Sequence, residues 1–227
     1  MDRLRTNILN ISANASGAAS AARMKNIVMV VDVIDMSTTA ETVLQGGADV
    51  VYGASPDNMS PPVKINPQKI GYLAGVEAYK NQKKIILVAE PRTGKTGWSG
   101  LNAVKKGIKS AGGKIEKIIP NLGQEVQKLA CFKGKIVIVV SSAGGVVFDA
   151  AFNGGSPAVI TGTIASCGKL KGNAPAQKGV NRAIRLAGKY NTGVSIIAAS
   201  SRAIEDVLAA EFIANLIIKT GFLNINN

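Results

Sequence analysis

Residues 135–161 read KIVIVVSSAGGVVFDAAFNGGSPAVIT, and the fold is decided in this stretch. An unbroken Ile/Val run of strand length leads into Ser-Ser-Ala-Gly-Gly. A helical segment follows, and Gly154-Gly155 then turns the chain into a second short apolar run. A continuous Val/Ile run, unlike an alternating one, calls for cover on both faces, as strands of a parallel sheet have. Glycine just past a helix end supplies the left-handed backbone that a Cβ makes costly, so Gly-Gly reads as a C-cap and a tight turn. The same joint recurs at Gly46-Gly47 and Gly112-Gly113. Three such joints predict repeated αβ units in an α/β fold: a three-layer αβα architecture around one mostly parallel, doubly wound sheet.

Working outward, apolar runs predict strands at 27–34, 49–52, 84–89, 114–119, 135–140, 158–161 and 194–199. Helices are expected between and after them, at 38–45, 68–80, 101–110, 123–130, 145–152, 177–189 and 204–219. Residues 26–227 then form a single domain. Residues 1–25 read as an N-terminal extension, a frayed or docked helix, because the segment lacks the continuous apolar core of a leader. The Pro-rich stretch 55–67 is expected to be a long surface loop beside the site.

Composition narrows the chemistry. Apolar residues make up 46% of the 227 and aromatics only 4%, so the core is aliphatic and rich in Ala and Gly, and both disorder and a disulfide scaffold are excluded. The absence of histidine excludes a Ser/His/Asp triad, a Cys/His pair, His-ligated zinc and phosphohistidine chemistry. Cys131 and Cys167 lie in no ligand-like spacing and read as two buried thiols in a reducing cytoplasm. No run of 18 apolar residues is present, so no membrane partner is expected. The net charge of +13 is uneven, with ten basic residues between positions 80 and 117 against Glu90 and Glu116. Such a field favours anionic partners. Few aromatics, no helix-turn-helix or RNP-like pattern and no basic tail favour a small phosphorylated substrate over nucleic acid. A homo-oligomer stays open.

In an open α/β sheet, ligands bind outside the carboxyl ends of the strands. There the sequence places Asp32, Asp35, Ser37, Thr38 and Thr39 after the first predicted strand, and Glu90, Arg92 and Lys95 after the third. Ser141, Ser142, Gly144 and Gly145 follow the fifth; Arg202, Glu205 and Asp206 follow the last. The turn at 141–145 can aim backbone N–H groups and hydroxyls at a phosphate where a helix begins. Asp32, Glu205 and Asp206 can hold Mg²⁺ through oxygen alone. Each residue also has an ordinary reading: Ser37 or Thr38 as a helix cap, Glu205 and Asp206 as partners of a helix dipole. The stretch 89–96, AEPRTGKT, fits a permissive P-loop pattern, but Gly97 and Gly100 spoil the helix that should follow. Asp32 and Asp35 are one residue too far apart for the aspartyl-phosphate phosphatase pattern.

The segment Asp32-Val33-Ile34-Asp35-Met36-Ser37-Thr38-Thr39, running without a gap to Gly47-Ala48, resembles the Asp-Val-Leu-Arg-Ala-Ser-Thr-Thr signature of the 2-phosphosulfolactate phosphatase family. Residues 90–102 are similar to that family's Gly-Glu-Arg, Gly-Phe and Gly-Asn block. Residues 133–145 resemble its Lys-Gly-Lys, strand and Thr-Thr-Asn-Gly-Thr-Arg block. Ile204-Glu205-Asp206-Val207-Leu208 is similar to Leu-Glu-Asp-Val-Leu. The resemblance implies a Mg²⁺-dependent phosphatase with an αβα fold, acting on the phosphate ester of 2-phosphosulfolactate on the way to coenzyme M. Asp32, Glu90, Arg92, Glu205, Asp206, the hydroxyls at 37–39 and Gly144 carry over. Asp35 stands where the family has Arg, Ala143 where it has Asn, Gly145 where it has Thr and Val146 where it has Arg. Losing two guanidiniums removes bidentate anion recognition.

Three expectations follow. The first is an enzyme with Mg²⁺ on Asp32, Glu205 and Asp206. In it Ser37, Thr38, Ser141, Ser142, Gly144, Gly145 and Arg202 hold the substrate, Arg92 steadies transition-state charge and Glu90 acts as acid or base. The second is an anion- or metabolite-binding relative without turnover. The third is nucleic-acid binding through residues 80–117.

Overall fold

The structure is a computed structural model that describes residues 7–90, 98 and 100–223. Strands and helices alternate along them: β1 (Leu9–Ala13), α1 (Asn14–Arg23), β2 (Ile27–Val31), α2 (Met36–Gln45), β3 (Val50–Ala54), α3 (Pro67–Lys80), β4 (Ile85–Ala89) and α4 (Asn102–Ser110). There follow β5 (Ile115–Pro120), a 3₁₀ turn (Gly123–Lys128), β6 (Ile136–Val140), α5 (Gly144–Asn153), β7 (Val159–Gly162), α6 (Ala174–Tyr190), β8 (Val194–Ala198) and α7 (Ile204–Lys219). Residues 55–66 are the expected loop.

Every strand pairing is parallel, and the central strands β2, β4, β6 and β8 are buried throughout, as their continuous Val/Ile runs require. The expected single sheet is corrected to two, in the orders β1-β8-β2-β7 and β3-β6-β4-β5. The edge strands β7 and β3 border a cavity of about 210 Å³ that Leu44 of α2, Phe148 of α5 and Arg182 of α6 also line. On the face of β3, a Cβ on Gly53 would overlap Met36 of α2 and meet Phe148 of α5 at 2.7 Å, so both helices lie close against this strand. A strand's own pattern is the same whether or not a neighbour pairs with it, so the split leaves no mark in the sequence.

Helices cover both faces, which makes the three layers. On one side α1 packs on α5 and α3 on α4, and Lys69 of α3 lies over the Phe152 ring of α5. On the other, α6 packs on α7, α2 packs on the 3₁₀ turn, and Lys178 of α6 reaches Gln45 of α2. Alternation along β2 divides the core: Val28 and Val30 join the cluster that includes α1 and α5, whereas Ile27, Met29 and Val31 join α6 and α7. The first cluster also takes in β4, β6 and α3, so one core spans both sheets.

Residues 1–25 are not an appendage as far as they are described. β1 is an edge strand, in register with β8 from Leu9↔Val194 to Ala13↔Ala198, and α1 buries Ala15, Ala18, Ala19, Ala21 and Ala22. A five-residue strand of mixed polarity and a helix whose buried face is all alanine carry almost no periodic apolar signal. The three Gly-Gly joints behave as expected: Gly47, Gly112 and Gly155 take φ of +87°, +75° and +83°. One thiol departs from expectation, since Cys131 is exposed; Cys167 is buried, and burial with the nearby Glu41 charge pushes it up to about 11. Among the described residues no helix is long and apolar enough to cross a membrane.

Candidate active site

Parallel strands bring their carboxyl ends to one rim, and the acids gather there. Asp32, one residue past β2 and 3% exposed, accepts the Gly144 N–H at 2.7 Å on Oδ2 and the Asp35 N–H at 3.0 Å on Oδ1. Gly144 opens α5, which follows β6, so this carboxylate ties one sheet to the other. Glycine is required there: a Cβ would overlap Asp32 Oδ2 and sit 2.8 Å from the Cβ of Met36. The hydroxyls of the same segment are engaged within the protein. Ser37 Oγ donates to the Val30 carbonyl at 2.9 Å and accepts the Asp32 N–H at 3.0 Å. Thr38 Oγ1 donates to the Val33 carbonyl at 2.5 Å and lies 2.9 Å from Thr163 Oγ1. Ser37 and Thr38, expected to bind substrate, instead shape the turn that presents Asp35.

The turn expected to cradle phosphate has the right backbone but filled donors. Ser142 donates its N–H to Glu90 Oε1 at 3.3 Å and its Oγ–H to Glu90 Oε2 at 3.2 Å. The Ala143 N–H reaches Ser141 Oγ at 3.3 Å, and Gly144 holds Asp32. Gly145 packs so closely on the Ala54 carbonyl that a Cβ has no room. Carboxylates of the protein thus stand where an anion's oxygens would go. The two Glu90 contacts are long for hydrogen bonds to a charged acceptor, so this acid is the one most readily displaced.

Asp206, in the first turn of α7 and 4% exposed, accepts the Val33 N–H at 2.9 Å on Oδ1 and the Ser200 N–H at 3.3 Å on Oδ2. Burial raises the Asp206 carboxyl against these two bonds, and the charges of Glu205 and Asp35 raise it further. Asp32 is raised too, by burial first and then by Asp206, while its backbone partners pull it down. Asp35 differs in kind. Half-buried and with no hydrogen bond to its carboxylate among the described residues, it is pushed up to about 6 by burial and by the charges of Asp32 and Glu90. Asn121 steadies it from behind, its Nδ2 donating to the Asp35 carbonyl at 2.9 Å while its Oδ1 takes the Thr39 hydroxyl.

As a metal set, Asp32, Glu205 and Asp206 fit poorly. All four oxygens of the two aspartates already take backbone N–H groups, and among the described residues no three Asp, Glu or Cys converge as metal ligands. Arg202 is exposed on the rim, its N–H donating to Ser200 Oγ at 3.1 Å. Arg92, Lys95 and most of the P-loop-like stretch lie outside the described residues.

Two cavities flank Ser142. One of about 230 Å³ runs between Glu90 and the loop at Pro56, Asp57 and Met59. The other, of about 370 Å³, lies between the start of α1 at Asn14 and Ser16, the start of α5 at Ala143, and Pro61. The loop is fixed at three points. Asp149, fully buried, takes the Ser55 hydroxyl at 2.5 Å and the Asn66 N–H at 2.7 Å, and Asp57 caps α4 through the Asn102 and Ala103 N–H groups at 2.8 and 2.9 Å. The sequence places Asp35 and Thr163 at the carboxyl ends of their strands but gives neither a role, and it offers no sign of Asn121. A carboxylate three residues past Asp32 in a strand-to-helix loop is a usable sign for Asp35, whereas Asn121 reaches the site only through its tertiary contacts with Asp35 and Thr39.

No protein-family model matches the chain, and no curated protein matches it.

Proposed function

We propose that this rim hydrolyses a phosphate monoester, in the manner of the 2-phosphosulfolactate phosphatases that the sequence resembles, with Mg²⁺ accompanying the substrate. The observation that carries the proposal is Asp35, a half-buried carboxyl raised to about 6 by burial and by the charges of Asp32 and Glu90, of which Glu90 lines one of the two cavities that flank Ser142. A group that titrates near neutrality is suited to take the proton of an attacking water. In this reading the phosphate displaces Glu90 from Ser142, whose N–H and hydroxyl then orient a phosphoryl oxygen, and Asp32 keeps the start of α5 in place.

No lysine or arginine lines either cavity among the described residues. A phosphate dianion entering beside Asp32, Asp35 and Glu90 needs a cation to offset the repulsion. Mg²⁺ commonly binds through one or two carboxylates plus substrate phosphate, so a three-residue cage is unnecessary. Glu90, once released, is the residue that would hold it. The two free thiols accord with a reducing, cytoplasmic setting.

The test is phosphate release from 2-phosphosulfolactate and a panel of small phosphate esters, with Mg²⁺ and with EDTA. Turnover that needs Mg²⁺ and falls roughly 100-fold or more in Asp35→Asn is the expected result. No release from any ester, or a rate indifferent to Asp35→Asn, overturns the proposal. A second reading, binding without turnover, is favoured by the filled cradle at Ser142, Ala143 and Gly144. It expects a phosphorylated ligand to raise Tm with no phosphate released.

A further inference from the structure

At the amino ends of β4 and β5, the end of the sheet away from the carboxyl rim, exposed lysines gather. The α3–α4 pair and the ends of β4 and β5 expose Lys80, Lys84, Lys109 and Lys114, and among the described residues none of the four ammonium groups pairs with a carboxylate. Two of the protein's four tyrosines stand among them: Tyr72 is 47% and Tyr79 70% exposed, seven residues apart on α3 and so on one helix face. The Tyr79 ring rests on Gly112, where a Cβ would meet Cδ2 at 3.1 Å. Tyr79, Lys84 and Lys114 line a cavity of about 260 Å³ there. Of the acids nearby, Asp49 pairs with Lys83 at 2.5 Å and Glu116 pairs with Lys135, while Glu77 on α3 keeps its charge with only Asn81 Nδ2 beside it at 3.5 Å.

We infer that this face binds single-stranded nucleic acid, with the lysines on phosphates and Tyr79 stacked against an unpaired base. Exposed aromatic rings set among unpaired cations are the combination that tracks a single strand, because every base offers a π-face to stack. Composition argued against nucleic acid on the scarcity of aromatics, but the fold concentrates two of the few on the lysine-rich face. An anionic membrane is the poorer fit. Binding in a bilayer interface requires apolar side chains to insert, and no Leu, Ile, Val, Met or Phe of α3 or α4 is exposed. A duplex is poorer too, since its bases are already stacked on one another.

The test is fluorescence anisotropy of the full chain with labelled 20-mers of oligo(dT) and oligo(U), a 20-bp duplex, and vesicles containing anionic lipid. With four phosphates neutralised, affinity for the single strands is expected to fall roughly 50-fold between 50 and 200 mM salt. In the triple variant Lys84→Gln, Lys109→Gln, Lys114→Gln the same step should cost only roughly threefold. Tyr79→Ala should weaken binding roughly fivefold or more, with Tyr190→Ala, on the far helix α6, leaving it unchanged. The ratio of oligo(U) to oligo(dT) affinity assigns RNA or DNA. No binding at 50 mM salt overturns the inference, as does binding untouched by these variants, or duplex or vesicles bound as tightly as the single strands. Unchanged Tm in each variant excludes misfolding as the cause, and none of these residues belongs to the carboxylate rim.

Discussion

At the scale of single residues, the rim holds its carboxylates close together at a cost in stability. Asp35 rises from 3.8 to about 6 on folding, so between these values the folded chain holds a proton that the unfolded chain has released. Its contribution therefore favours the fold at low pH and is lost as pH rises through about 6. Asp35 opens α2 without a side-chain cap bond, so Asn there gives up no hydrogen bond among the described residues. Asp35→Asn is expected to raise Tm at pH 7.5 in EDTA, with the gain over wild type shrinking toward pH 4. A lower Tm at pH 7.5 would contradict this sign. Gly144 is the other sensitive residue. Alanine there would displace the Asp32 carboxylate and leave the Gly144 N–H without a partner, so urea unfolding should show a loss of about 2–3 kcal/mol.

At the scale of elements, the α3–α4 contact is built from backbone touching backbone. Positions Gly71 and Gly107 press on the carbonyls of Val104 and Gln68, and a Cβ at either would overlap them. Gly107→Ala trades a small gain in helix propensity, below about 1 kcal/mol, for a clash that must separate the helices. A net loss of about 1–3 kcal/mol is expected by chemical denaturation, whereas Gly134→Ala, with nothing within 4 Å of its Cβ, should lose less despite its φ of +71°. The strands and most helices were legible because buried parallel strands and Gly-capped helices impose local patterns. Within 1–25 a docked helix is expected and α1 is one, packed on α5, but β1 was not legible, since it is fixed by its neighbour β8 more than by its own sequence.

For the whole molecule, the question is whether two sheets mean two folding units. Asp32 links β2 of one sheet to the start of α5, which follows β6 of the other, and one apolar cluster takes in residues of both sheets. The ion pair between buried Glu41 and half-buried Arg182, with Thr161 on the same carboxylate at 2.6 Å, joins α2 to α6 beside the split. Unfolding is therefore expected as one transition, with circular dichroism and intrinsic fluorescence coincident in urea. Two separable transitions would mean that the sheets are independent units. Removing one partner, as in Glu41→Gln, leaves a half-buried guanidinium uncompensated and should cost about 1–3 kcal/mol, less than for a fully buried pair; Glu41→Leu with Arg182→Leu together should cost less still.

Sequence alone was enough to establish the layered α/β class, seven of the eight strands in the described chain, the Gly-Gly joints and the rim to which the acids belong. Each is written in near-neighbour chemistry: runs of β-branched side chains, left-handed glycines, and the rule that parallel strands end together. Tertiary structure decided the rest. It split the sheet, paired β1 with β8 and packed α1 on the core, engaged Ser37 and Thr38 within the protein, turned Asp32 and Asp206 onto backbone N–H groups, and left the Asp35 carboxylate without a hydrogen bond among the described residues. Whether a carboxylate faces a backbone donor or open space depends on groups more than a hundred residues away, such as Gly144 for Asp32, and no local pattern encodes that distance.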